Sequence, residues 1–575
     1  MDSNAQAWGY LNAQCQEPGL SGLGSFTGGE LIFNSSEHVL SRRQSWLDLL
    51  DKLLILLLLV SAMLFVLWPF VAIFYEGVRE QSPGQLWAFI RSSKGLIRNS
   101  LTVAALTTLL TILWALAISI TLFFAGPRLS KLIRALLTLS MISPPFVAAL
   151  SFINLFGRRG LITYRLLGLR YNPYGLQGIV LMETFSFISL AAMILMARLR
   201  DIDQSLIDSA RSLGANTNQI IRDVLLPQLR SATLVALMLT FIRSLADFST
   251  PTIIGGSYSV LATEAYLSFI SRGDLQRATG LNLILLLPSL LAMIVYMRAY
   301  RQASSASHGV GRRQIDNRGK GAFLRLAQVL AMVFLLAMVL QYGSIFLQAF
   351  GKYSKGQFYL TLDNLYASKN HIGSSLWRSV GYSLLSAALA GFMGFLLAYY
   401  LHLRKMRFMQ GVEWILTLPY IVPGSFYGIA YILAFRAPPL KLTGTATIVI
   451  LNMLFKQIPL ATKLASAGVA GIEPSLGDSV RDLGGHPLYI FKDVLLPQCL
   501  PTFLLCFFRG FTAGMTTIGS IIFLVYPQRK LATMVLFDLI QSGKYGVASF
   551  LAFIITLICL LVELAARKLS GVEAD

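Results

Sequence analysis

Asp208-Ser-Ala-Arg-Ser-Leu-Gly214 and Asp478-Ser-Val-Arg-Asp-Leu-Gly484 are two versions of one segment. After nine intervening residues each is followed by the same five, Val224-Leu-Leu-Pro227-Gln228 and Val494-Leu-Leu-Pro497-Gln498. The offset is 270 residues throughout (478 − 208), without a gap, and Ile220/Ile490 and Asp223/Asp493 match as well. Agreement of this length at one fixed offset marks an internal duplication. Leu206, Ala210 and Leu213 fall at helical spacing, with Asp208 and Arg211 off that face, which predicts a short amphipathic helix. Gly214 and Gly484 predict a positive φ where the helix stops. Pro227 and Pro497 suit the opening turn of the helix that follows. Two ordinary loops preserved by duplication would show the same spacing.

Outward from these segments the chain is apolar. Of its 575 residues 55% are hydrophobic and 13% charged, and mean hydropathy is +0.64. Soluble domains carry about 25% charged residues, so a soluble class is excluded. Stretches near the roughly 20 residues that cross a bilayer recur at 53–75, 99–125, 132–157, 177–198, 230–253 and 281–300. After a polar gap they resume at 323–348, 377–401, 410–435, 444–466, 500–525 and 546–566. None alternates over about ten residues as a membrane β-strand does. The expected fold is an all-α membrane protein, with twelve transmembrane helices in two homologous six-helix lobes. Each repeated segment follows the fourth span of its half.

The expected organisation is a cytoplasmic N-terminal tail (1–52), a first permease lobe (53–300) with its loop at 199–228, and a cytoplasmic linker (301–322). A second lobe (323–567) with its loop at 467–498 and a C-terminal tail (568–575) complete it. The first apolar run follows Ser41-Arg42-Arg43 and Lys52, too late for a cleaved signal peptide. The net charge of +21 comes from Lys and Arg between spans, which reads as topology rather than nucleic-acid binding. Arg128, Lys131 and Arg134, then Arg404, Lys405 and Arg407, mark two short loops, and Arg301, Arg312, Arg313, Arg318, Lys320 and Arg325 crowd the gap. With even numbers of spans, these loops and both termini face the cytoplasm, although Arg158, Arg159, Lys352, Lys355, Arg529 and Lys530 lie on the other side. Cys15, Cys499, Cys506 and Cys559 form no disulfide framework, and the isolated histidines have no metal-ligand spacing.

The repeated segment resembles the Glu-Ala-Ala loop of binding-protein-dependent ABC import permeases. In that family the pattern is a Glu-Ala-Ala triad, three residues, Gly, nine residues, then Ile-x-Leu-Pro. Here Asp208-Ser209-Ala210 and Asp478-Ser479-Val480 replace the triad, and Val replaces Ile. The resemblance implies that each short helix, with Gly214 and Pro227 or Gly484 and Pro497, docks one ATPase. Two copies of the ATPase and a solute-binding protein are thus the implied partners, beside the lipid bilayer. Ser542-Gly543-Lys544-Tyr545 lacks the first Gly and the hydroxyl of a phosphate-binding loop. The chain is therefore expected to be no enzyme and to carry no cofactor, with ATP and Mg bound by the partner. Phe156-Gly-Arg-Arg-Gly160, Tyr174-Gly-Leu-Gln-Gly178, Ser244-Leu-Ala-Asp-Phe-Ser-Thr-Pro251 and Ser520-Ile-Ile-Phe-Leu-Val-Tyr-Pro527 look like the ferric-iron, thiamine and phosphonate branch. Its members reside in the bacterial inner membrane.

Candidate pathway residues are breaks and charges inside spans. Ser143-Pro144-Pro145 interrupts the third span, and Pro419 with Pro423-Gly424 the ninth, although packing kinks would look the same. An ionisable residue at mid-span costs about 2.5–3.5 kcal/mol on insertion scales, so it faces a cavity or a partner. Arg243 and Arg509 occupy matching strings, and facing guanidiniums would hold a phosphoryl-type anion. Asp247, one turn beyond Arg243, offers a plain ion pair instead; Arg509 has no carboxylate three or four residues away. Glu183 and Lys456 are a second pair, for the pathway or for helix-to-helix pairing. The expected solute is a small phosphonate- or phosphate-ester-type anion, with ferric iron next. An ion-gradient-driven secondary transporter is the alternative, but it needs no pair of docking loops.

Overall fold

The structure, a computed structural model, describes residues 29–79, 83–158, 160–168, 172–305, 321–354 and 357–570. Cys15, Arg159, Lys355 and the linker cations Arg312, Arg313, Arg318 and Lys320 fall outside the described residues, as do most of the expected N- and C-terminal tails. The chain divides into two units at Leu56. In the first unit the described residues are helical from Gly29, and Trp46, Leu49, Leu50, Leu53 and Leu56 are exposed. The packing described below lies within residues 57–570.

α1 (Gly29–Ala62) passes through a wide π turn at Met63–Leu67 into α2 (Trp68–Arg79). Then follow α3 (Pro83–Ser92), α4 (Lys94–Phe124), α5 (Pro127–Ile142), α6 (Phe146–Phe156) and α7 (Leu176–Arg200). The first repeated segment forms α8 (Gln204–Ser212) and α9 (Thr217–Gln219), which leads into α10 (Leu226–Ala246). α11 (Ser249–Ile254), α12 (Leu261–Ile270) and α13 (Leu275–Ser305) close the first lobe. The second opens with α14 (Ala322–Phe350) and a hairpin, β1 (Gly351–Ser354) and β2 (Gln357–Leu360), which the apolar pattern did not foresee. It continues with α15 (Asp363–Ala398), α16 (Arg407–Ile421), α17 (Gly424–Phe435) and α18 (Ala446–Val469). The second segment forms α19 (Pro474–Asp482), α20 (Pro487–Tyr489) and α21 (Leu496–Gln498). α22 (Leu500–Thr516), α23 (Ala532–Gln541) and α24 (Tyr545–Ser570) end the described chain.

Among the described residues ten helices are long and apolar enough to span a bilayer, or twelve if two bent pairs each count as one span. Proline explains both bends. α16 and α17 meet at 114° where Val422, preceding Pro423, is forced extended (φ −80°, ψ 152°). The stretches Pro487–Gln498 and Leu500–Thr516 meet at 77° just before Pro501, which has no N–H for the ladder. In the first lobe Ser231 stands at the equivalent place, and the helix through Thr217–Ala246 counts as one span. The span expected at 132–157 is likewise two helices, with Ser143 extended before Pro144. The expected spans 230–253 and 500–525 end early, at Ala246 and Thr516.

Each lobe lends its first helix to the other. Phe65, in the π turn, stacks on Phe455 and receives the hydroxyls of Tyr427 and Tyr431 at 3.2 and 2.8 Å. Conversely α14 lies on α4 to α6: Trp114 donates to the Leu330 carbonyl at 3.1 Å, and Ser143 and Tyr342 share a 2.8 Å hydrogen bond. The core beneath α14 joins Ile118, Leu137, Leu195, Leu229 and Phe334 with a run of alanines, 115, 191, 192, 236, 327 and 331. Small residues let backbones approach closely where lipid removes the hydrophobic drive to associate.

Candidate functional site

The two repeated segments fold almost identically. α8 ends in a Schellman motif: Ala215 N–H donates to the Ala210 carbonyl at 2.9 Å, and Gly214 N–H to the Arg211 carbonyl at 2.8 Å. In the second copy Gly485 N–H reaches the Val480 carbonyl at 2.8 Å. Gly214 and Gly484 hold the left-handed conformation this closure needs, φ +84° and +70°. Matching π turns, Ile220–Leu225 and Ile490–Leu495, then bring Pro227 and Pro497 into the first turn of the next helix. The start differs, as do the N-cap of the short helix after the glycine (Asn216 against His486) and the path after Gln498. Asp203 caps α8 by accepting from Ser205 N–H at 2.9 Å, and hydrogen bonds from Ser205 hold its carboxyl below the usual range; α19 begins at Pro474.

On α8 the buried apolar residue lies off the face that helical spacing picked out. Ile207 is the buried residue, while Leu206 is exposed and Leu213 is 89% exposed. Its counterpart Leu483 is 88% exposed. These are the two most exposed large apolar side chains among the described residues, and both lie outside every candidate span. Lipid contact therefore does not account for them. Asp208, Ser209, Asp478 and Ser479 are exposed on the same helices, so each loop presents an apolar tip beside an acidic, hydroxyl-bearing flank.

At mid-span the lobes part company. Glu183 on α7 is fully buried and accepts from Thr107 of α4 at 3.2 Å and from Ser244 of α10. Asp247 does not pair with Arg243; it accepts from Ser249 N–H at 2.8 Å and Ser249 Oγ at 2.5 Å, starting α11. Glu183 and Lys456 form no ion pair among the described residues. Lys456 lies instead within electrostatic reach of Arg243. Its ammonium rests against the break after α16: a methyl group at Gly424 would stand 3.2 Å from Nζ, and one at Gly519 4.0 Å. Arg243 follows Ile242, which packs with Ile421 of α16 across the lobe interface. Pro145, at the start of α6, belongs to the corresponding break of the first lobe.

Arg509 has the carboxylate that spacing along its own helix did not show. Glu563 of α24 binds it at 3.2 Å and also holds Arg567 at 3.5 Å. Arg509 is thus ion-paired, a partner that the reading of facing guanidiniums did not include. The signal for Glu563 was present, since it is the one carboxylate inside the apolar run 546–566, where a charge implies a partner. Thr107 and Ser244, neutral partners of Glu183, gave no signal of that kind.

The sequence profile of the family described as "Binding-protein-dependent transport system inner membrane component" matches residues 108–305. The chain is 30% identical over 525 residues to the ferric transport system permease protein FbpB of Actinobacillus pleuropneumoniae, covering 87% of this chain and 75% of that one. It is 25% identical over 327 residues to the thiamine transport system permease protein ThiP of Haemophilus influenzae (56% and 57% covered). To the molybdenum transport system permease protein ModB of Mycobacterium bovis it is 29% identical over 246 residues (41% and 89%).

Proposed function

The chain belongs to the family of binding-protein-dependent transport system inner membrane components, and from that premise we propose that it is the complete membrane part of a ferric-iron importer driven by two copies of one ATPase. It is a multi-pass permease subunit of an ABC importer, not an enzyme. The family membership sets aside the ion-gradient-driven secondary transporter. Both loops would seat an ATPase through Leu213 and Leu483, with Asp208 and Asp478 beside them, on the cytoplasmic side that also holds both termini. A solute-binding protein would deliver cargo to the opposite mouth. The observation that carries the two-ATPase reading is the repetition of one loop, with one closure and one exposed leucine, in both lobes.

For the cargo, the ferric permease matches across most of this chain, whereas the thiamine and molybdenum permeases match about half of it or less. Native mass spectrometry of the permease purified with its partners, together with elemental analysis of the ligand on the binding protein, tests both points. Two ATPase subunits per permease and bound iron are expected. One ATPase would overturn the two-loop reading, and a phosphorus-containing ligand without iron would overturn the ferric cargo.

A further inference from the structure

The break between α16 and α17 exposes the start of a helix at mid-span. The first α17 bond runs from Tyr427 N–H to the Pro423 carbonyl at 3.1 Å, so the N–H groups of Gly424, Ser425 and Phe426 stand ahead of the ladder with the positive end of the helix. Beside them is the Lys456 ammonium, admitted because residues 424 and 519 are glycines. From the other lobe comes Arg243, which is exposed. Neither cation has a hydrogen bond or ion pair among the described residues, and each lies within electrostatic reach of the other.

Three positive poles thus converge where charge is most expensive to leave unanswered. The acidic groups around them are engaged elsewhere. Asp247 is held by Ser249 and Thr250, and Glu183 by Thr107 and Ser244. Glu413, on α16, acts on Lys463. A flat guanidinium, a point-charge ammonium and a helix start together form a recognition set for a small oxyanion. A bare trivalent cation would be repelled by the same three poles, but a ferric ion is a hard centre that binds oxygen anions and so can travel with one.

Resting on the ferric reading above, we infer that Arg243, Lys456 and the N-terminus of α17 form a site for a phosphate-class oxyanion, and that iron crosses as its oxyanion complex. The purified permease–ATPase complex in nanodiscs of zwitterionic lipid is titrated with 33P-labelled inorganic phosphate. Saturable binding to the native protein is expected. Lys456→Gln and Arg243→Gln are each expected to weaken it by about tenfold or more, and Lys456→Arg to retain it. Size-exclusion profiles of all variants with the ATPase attached separate a lost site from a lost fold. If either Gln variant is misfolded, the other with Lys456→Arg decides. In proteoliposomes loaded from the iron-charged binding protein, 33P is expected to enter with 55Fe.

No saturable phosphate binding by the native complex, or unchanged binding in both Gln variants, would overturn the site. Entry of 55Fe without 33P would overturn the escort. Binding lost when anionic lipid replaces zwitterionic lipid would assign the site to a headgroup and likewise overturn the escort. Phosphate bound by the permease with no iron on the binding protein would leave the site standing and sink the ferric cargo; iron on the binding protein with no phosphate site would do the reverse.

Discussion

The repeated loops and the mid-span regions of the two lobes have diverged to very different degrees since duplication. In the loops the helix length, the closing glycine, the π turn and the exposed leucine recur at an offset of 270 residues. At mid-span the first lobe buries Glu183 between Thr107 and Ser244, while the second places Lys456 against Gly424. The offset carries Glu183 to Met453, and Lys456 back to Ser186. On the two-ATPase reading proposed above, one surface meets the same partner twice and is held to one shape. A pathway that meets a single solute has no such constraint, and each half can supply what the other lacks.

The comparison breaks first at the glycines. Gly214→Val and Gly484→Val place a β-branched residue at positive φ, a strain of about 1–3 kcal/mol each. Each is expected to abolish uptake in proteoliposomes while ATP hydrolysis no longer responds to loaded binding protein; a defect confined to one loop would end the equivalence. Leu213→Glu or Leu483→Glu removes an apolar contact worth about 1.5–3 kcal/mol if buried by the partner. ATPase capture should weaken by about ten- to hundredfold, equally for both, in a sedimentation titration.

The mid-span contrast is sharpened by Glu563→Gln. That substitution leaves Arg509 and Arg567 without their shared carboxylate and should destabilise the permease by about 1–3 kcal/mol. Arg243→Gln, which breaks no ion pair among the described residues, should lower the detergent melting temperature far less; equal losses would return Arg243 to a structural role. The smallest effect expected is one of pH. Because its hydrogen bonds depress the folded-state pKa of Asp203, its cap is fully present above the unfolded carboxyl value. It is lost as pH falls below about 4 through the folded value. Protection of the α8 amides, measured relative to the intrinsic exchange rate at each pH, should therefore fall in acid.

The all-α class, the duplication and most spans were legible because membrane insertion forces long apolar runs and the repeated loops keep their letters at one offset. Gly214 and Gly484 were legible for a different reason, since few residues other than glycine accept their conformation. What escaped was set by distant chain. Pro501 in place of Ser231 permits the second-lobe bend locally, and only its 77° angle is set by packing. The Arg509–Glu563 pair spans 54 residues, so a search for partners one turn away does not find it. The burial of Ile207, off the face shared by Leu206 and Leu213, is set by packing against neighbouring segments.

The exchange of first helices carries a consequence in time. Phe65 receives the hydroxyls of residues 362 and 366 positions further along the chain. At about 5–20 residues per second of synthesis, that interval is roughly 20–70 s. For that period the segment must wait among lipids, and the first lobe is finished only when its sibling has been made.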